Sequence, residues 1–526
     1  MRCSFGVLLL AACAHAFPAA ADSLTIGVRN EPTSMDPQGL WGFSNSQAYY
    51  HYLGYLLRVD PAGGVQPALA QSWSRDGDDV WLFKLAPTVK FSDGSPLTAA
   101  DVIASYQRAM TAPTSSYKGL FALVDHFEAP DPHTLKVVTR APYPTLLYTL
   151  AQMPVLPKAL LDKATPKDFA NPAFMVSAGP YVMTDYEPGA KMVFKPNPQY
   201  NGPKPHWDSV TLRFISEAPA RVAALLSGQV DMIDGVLPDD AAAIAKRPGF
   251  KVVSGKSGRM VYFAMNQAAN VLPDVAGPDG KPLAANPFRD VRVRHAMAIA
   301  IDRKAIVDRV LGGHGGALDQ LGIAGQGGFD PSIAPIPYDP AQARALLAQA
   351  GYPHGFSVTL TCPNGWLVND SRVCQAIGQM LGRVGIKTAI DSQPWTAMVT
   401  RVVCHCDRRP SLFMTTWNSA YAGEVGAMLT NGVHSYDKST GKGSWNQGDY
   451  PSTPALDALI DRASTTLDNT ARFKLEAEAM RTAMADYPVI PVYYQDVTLA
   501  SRKDITPVPA TIEYTFSEYV SKDAKP

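Results

Sequence analysis

Asp93 and Asp101 stand eight positions apart in the stretch VKFSDGSPLTAADV, a spacing that invites a reading as paired acid–base carboxylates. Local chemistry assigns each of them a structural task instead. Asp93-Gly94 is a turn-forming dipeptide, and Thr98 lies three residues before Asp101, the arrangement of a capping box at a helix start. Cys404-His405-Cys406-Asp407 gathers residue types that hold metals, but no second ligand pair follows at finger-like spacing. Two cysteines one residue apart seldom bridge each other, so these two are expected to be buried or paired with distant partners. GKSGR, residues 255–259, imitates the end of a phosphate loop. The earlier glycine it requires would fall at Phe250, and the strand-like MVYFAMN follows it where a helix is needed. The glycines of LGGHGGALDQLGIAGQGGFD never reach dinucleotide-binding spacing, so the segment reads as a flexible connector with His314 in solvent. Neither G-x-S-x-G nor H-E-x-x-H occurs. No complete catalytic constellation is present, and a secreted hydrolase built on Asp93, Asp101 or the cysteine–histidine cluster is the weaker reading.

The elements that must position any site alternate between strands and helices. SLTIGV, residues 23–28, alternates as a strand, and Trp81 to Leu85, Leu135 to Val138, Val193 to Lys195 and Val210 to Ile215 are further strands. Asp339 and Pro340 open a helix that Gly351 ends. Asp290 and Asp302 open two more, Thr453-Pro454 begins another, and the last spans Thr470 to Asp486 before the strand VIPVYY. Irregular alternation over 526 residues predicts an α/β architecture with more than one lobe.

Lys+Arg and Asp+Glu both total 47, and no long basic run occurs, which argues against a nucleic-acid partner. The first 21 residues read as a secretory signal: Arg2, an apolar run from Phe5, then Ala19-Ala20-Ala21. Cleavage there predicts an exported, periplasmic mature chain. The alternative is a lipoprotein box, Leu10-Ala11-Ala12-Cys13, which would leave the protein anchored through Cys13. Cys3 and Cys13 leave with the signal on the first reading, and Cys362 and Cys374 are a candidate disulfide in an oxidising compartment.

Several segments, taken in order, resemble the extracytoplasmic solute-binding proteins of ABC importers, family 5. They are PALAQSWSRDGDDVWLFKLAPTVKFSDGSPLTAADV, SAGPYVM, NPQYNGPKPHWDSVTLRFI, ALLSGQVDMIDGV, FRDVRVRHAMAIAIDRKAIVDRVLGG and YDPAQARALLAQAGY. Members of that family bind dipeptides, oligopeptides and nickel complexes. The resemblance implies a type II periplasmic-binding-protein fold of the cluster C kind, two lobes with a hinge and an extra subdomain inserted in lobe I. Lobe I would take residues 22–47, 178–262 and 488–526, the insertion 48–177, and lobe II 263–487. It implies a monomeric binding subunit with no cofactor and no metal, which closes on a peptide or peptide-like solute and delivers it to an inner-membrane permease driven by ATPase subunits. A receptor or chaperone-like role on the same scaffold is a further reading.

Many peptide binders of the family carry W-x-G-D-Y, whose acid meets the amino terminus of the peptide. This chain has Trp417 and Tyr421, but Ser419 stands for the glycine and Ala420 for the acid. An ammonium buried without a carboxylate is costly, so either Glu424 substitutes or the solute has no free amine there. An opine, another conjugate, a sugar or a metal complex is the alternative cargo. The candidate lining residues are Trp417, Tyr421, Ser419 and Glu424, with Trp41 and Asn45 opposite, and Asn266 and Tyr436 at the margin. Trp445 and Asn446 share the polar segment of Tyr436. The bland alternatives are core packing for the tryptophans, solvent for Tyr436 and a backbone bond at a strand end for Asn266.

Overall fold

The computed structural model describes residues 22–39, 42–113, 115–406 and 408–523. The signal segment with Cys3 and Cys13, and Trp41, lie outside the described residues.

Alternating apolar residues in six short stretches give two parallel groups of strands. Ser23–Val28 pairs in parallel with Ser209–Phe214 and Met232–Ile233, while Phe356–Asn364 pairs in parallel with Ile386–Pro394 and Leu412–Asn418. Two long strands, Phe250–Met265 and Ile490–Arg502, run antiparallel between the groups and join them into one 11-stranded sheet. The register of this central pair shifts between Lys256 and Met260. An irregularity of that kind locally bends and twists a ladder. The mimic of a phosphate loop at residues 255–259 lies inside the Phe250–Met265 strand, at this irregularity.

Strand periodicity divides the second half into two cores. Val261, Phe263 and Met265 enter one cluster, whereas Met260, Tyr262 and Ala264 enter another on the opposite face. A third core unites the first strand, a tyrosine-rich helix Phe43–Tyr52, the C-terminal segment around Tyr514 and a separate four-stranded antiparallel sheet. That sheet runs Ala70–Arg75, Val80–Leu85, Thr134–Thr139, Val124–Asp131.

The caps formed as local chemistry dictates. The Asp101 carboxylate accepts from Thr98 N at 2.9 Å and Thr98 Oγ1 at 2.8 Å, and its other oxygen accepts from Lys158 N at 2.8 Å. Asp93 accepts from Ser95 N at 2.9 Å beside Gly94, whose φ is 87°. Both carboxylates are architecture. Asp290, Asp302, Asp339, Thr453 and Asp468 each cap a helix, the last running Asn469–Met484.

Two expectations need correction. The glycine-rich connector is ordered where Gly315–Ala317 adds a short strand to Ile490–Arg502, and Gly315 lies against the Tyr494 backbone carbonyl, a contact that leaves no room for a β-carbon. His314 is held there, 3.1 Å from Ser254 Oγ. The second concerns Cys404 and Cys406, which bridge each other in place of distant partners. The intervening His405 takes a left-handed φ of 45°, which turns the chain tightly enough to bring the two sulfurs together. Cys362 and Cys374 are joined as well, tying a strand of the second half to the helix that follows it. Among the described residues no helix is long and apolar enough to cross a membrane.

Candidate ligand cleft

The Leu412–Asn418 strand carries Trp417 at its end, opposite Met260 on the Phe250–Met265 strand. The indole is half-buried on the second-half core and meets Trp445 edge-on, at 5.9 Å between ring centroids. Asn418 then turns the chain by accepting from Ala420 N at 3.0 Å, and Ser419 Oγ donates to Gly258 O at 3.1 Å and meets Gln326. This tight turn delivers Ala420 and Tyr421 onto the core of the other half. Tyr421 Oη lies 3.1 Å from Tyr514 Oη, and burial pushes both phenols above their ordinary pKa. Gln152 reaches the Tyr421 carbonyl at 3.5 Å. The void left between Tyr50, Gln152, Tyr421 and Tyr514 is about 10 Å³, room for one water at most, so the two halves are in contact here.

Beside Trp417 the ladder places Arg259 opposite Asn418. Arg259 Nε donates to Glu513 at 2.9 Å, and Glu513 also accepts from Gln495 at 2.9 Å. Burial alone would raise the Glu513 pKa, but the charge and hydrogen bonds of Arg259 outweigh it and hold the carboxyl below its usual range. The guanidinium lies 5.9 Å from the centroid of Trp366, which stacks on Trp395. The indole N–H groups of Trp366 and Trp417 and the Asn418 carboxamide nitrogen are buried, and no acceptor among the described residues meets them. Buried donors are normally satisfied, so each of these three is open to an acceptor that the described residues do not supply.

The remaining expected residues are distributed unevenly. Glu424 is buried and bonded to Arg472 at 2.7 and 3.1 Å, so an amine anchor made from it would break a buried ion pair. Asn45 accepts from Thr33 N at 2.7 Å, and Asn266 accepts from Ala269 N at 3.2 Å. Tyr436 is exposed and lies flat on His405, with centroids 3.7 Å apart. Trp417, Ser419 and Tyr421 follow one another along a single turn but face different cores, and Asn266 and Tyr436 are not among their contacts. Arg259, Glu513, Trp366, Gln152 and Tyr514 were missed. Trp366 had a signal in its sequence, a tryptophan in the polar turn PNGWLVND, while the others depend on partners far along the chain.

Residues 64–453 match the model of the bacterial extracellular solute-binding proteins, family 5 middle region. The periplasmic murein peptide-binding protein MppA of Escherichia coli K12 is 23% identical over 504 residues, covering 89% of this chain and 86% of that protein. The glutathione-binding protein GsiB of Escherichia coli O157:H7 is 27% identical over 513 residues, covering 95% and 93%. Among solved structures, AgaA in complex with agropinic acid, from A. tumefaciens R10, superposes with a TM-score of 0.77 at 26% identity and covers 96% of this chain and 99% of that one.

Proposed function

The chain belongs to the family 5 bacterial extracellular solute-binding proteins, and from that premise we propose that it captures a peptide or peptide-like solute between its two lobes and hands it to an inner-membrane permease. It is a binding protein of ABC import and not an enzyme. On this reading the long strands Phe250–Met265 and Ile490–Arg502 are the hinge crossings, residues 48–177 are the inserted subdomain, and residues 263–487 are lobe II. Closure seats Tyr421 on Tyr514 and shuts the solute in beside Trp417, where exclusion of water strengthens each polar contact.

The observation that carries the cargo class is the imbalance of the site. It offers three buried donors without acceptors, its acid Glu513 is already matched by Arg259, and Ala420 supplies no carboxylate. Such a wall suits carbonyls and carboxylates and disfavours a free ammonium at position 420. A peptide-like solute whose amine is blocked, conjugated or turned elsewhere fits best. A second reading, an opine or similar non-peptide conjugate, draws on the similarity to AgaA and uses the same donors.

The test is mass spectrometry of the solute released on denaturing mature protein purified from the periplasm, followed by thermal shift with that solute. At a hundredfold excess over Kd, binding adds about 2.7 kcal/mol to stability. An acceptor-rich solute that raises the melting temperature supports the reading. Ordinary peptides that bind only with a free amino terminus contradict it.

A further inference from the structure

Away from Trp417, a cavity of about 670 Å³ opens between the four-stranded sheet and the start of the Asn469–Met484 helix. It is separated from the cleft by two contacts on successive turns of one segment, Tyr148 against Gly423 and Gln152 against Tyr421. Its size is that of a small-molecule site. One wall is a patch of the sheet in which Arg75 lies directly across from Trp81, with Trp73 two residues before it on the same face. The Arg75 guanidinium lies 5.8 Å from the Trp81 centroid. Phe473 and Arg472 form the opposite wall.

The charges of the lining decide what it would take. Arg472 is bonded to Glu424, and Asp468 accepts from Ala471 N at 2.8 Å as the cap of its helix. Arg75 is different: no carboxylate among the described residues pairs with it, and its side chain is exposed on an indole face. The cavity therefore presents flat apolar surfaces from Trp73 and Phe473, with the Arg75 cation stacked on the buried Trp81 on one wall and the Asp468 carboxylate at the helix start on the other. A guanidinium stacked on an indole keeps its edge N–H groups for an anion in the plane.

We propose that this cavity is a second solute site, selective for a flat apolar molecule bearing a carboxylate, with Arg75 as its anion-binding residue. Because its walls come from both sides of the contact at Tyr421, an occupant would hold the closed form and favour cargo retention.

Indole-3-acetate, titrated into the full mature protein by isothermal calorimetry, tests the site, with the neutral indole-3-acetamide as control. The expected result is saturable binding of the acid, at least tenfold weaker binding of the amide, and a tenfold or greater loss in Arg75→Gln with at most partial recovery in Arg75→Lys, which keeps the charge but not the stacked fork. Arg75 is exposed, so these variants leave the fold intact. The proposal is overturned if the acid does not bind saturably, if acid and amide bind alike, or if Arg75→Gln binds as well as the unaltered protein.

Discussion

Trp417 and Tyr421 are four positions apart, yet they pack against different cores: Trp417 on that of the second half of the sheet, Tyr421 on that of the first. The turn at Asn418 and Ser419 makes this possible, and it places the contact between the two halves within a few residues of the candidate cargo site. On the proposed reading, closing the cleft and enclosing a solute are thereby one structural event.

Replacing Tyr421 by alanine removes the ring that reaches across. Burial of such a ring is worth about 2 kcal/mol, so the closed form should weaken by that order. Small-angle scattering of Tyr421→Ala is expected to give a larger radius of gyration than the unaltered protein, while Tyr421→Phe, which loses one hydrogen bond worth about 1 kcal/mol, stays close to it. Identical scattering from all three would remove Tyr421 from the closure contact.

Gly258 lies under the same turn. A β-carbon there would come within 2.5 Å of Ala420 N, a backbone atom that cannot swing aside. Gly258→Ala should cost about 1–3 kcal/mol through overpacking, read as a lower melting temperature. A variant that melts with the unaltered protein would show that the turn has slack.

Glu476 is fully buried behind Glu424, and burial together with the neighbouring Glu424 charge pushes its pKa up to about 9. The unfolded carboxyl titrates near its ordinary 4.5. Between those values the folded protein holds a proton that the unfolded chain has released, so this group makes stability fall as pH rises through that window, by at most about 1.4 kcal/mol per pH unit. Glu476→Gln keeps a donor for Glu424 and cannot ionise. Its melting temperature should therefore decline less than that of the unaltered protein between about pH 5 and pH 8.5; parallel curves would mean that Glu476 is ionised in the fold.

The bridge between Cys362 and Cys374 spans 12 positions and joins a strand to the next helix. Closing a loop of that length restricts the unfolded chain by about 3 kcal/mol. Replacing both cysteines by alanine should lower the melting temperature accordingly, and an unchanged transition would indicate that the lobe holds this pair together without the bond.

Local chemistry was legible in the sequence wherever a residue acts on neighbours a few positions away. The capping box of Thr98 and Asp101, the Asp339 cap with Pro340 and the strand Ser23–Val28 all stand where side-chain pattern alone puts them. Of the candidate site, only Trp417 and Tyr421 had a motif in the sequence to point to them. The bond of Glu424 to Arg472 spans 48 positions and that of Arg259 to Glu513 spans 254, and no local pattern announces such pairings. The failure at Cys404 and Cys406 has another cause: a general rule about close cysteines was overridden by the left-handed turn at His405.

The central claim is that Trp417 belongs to the cargo site and not only to the core. The most direct measurement is calorimetric titration of the solute recovered from the protein into unaltered and Trp417→Ala forms, each checked by its melting transition. A tenfold or greater loss of affinity in a variant that still melts cooperatively is the predicted result. Unchanged affinity would contradict it and place the cargo elsewhere in the cleft.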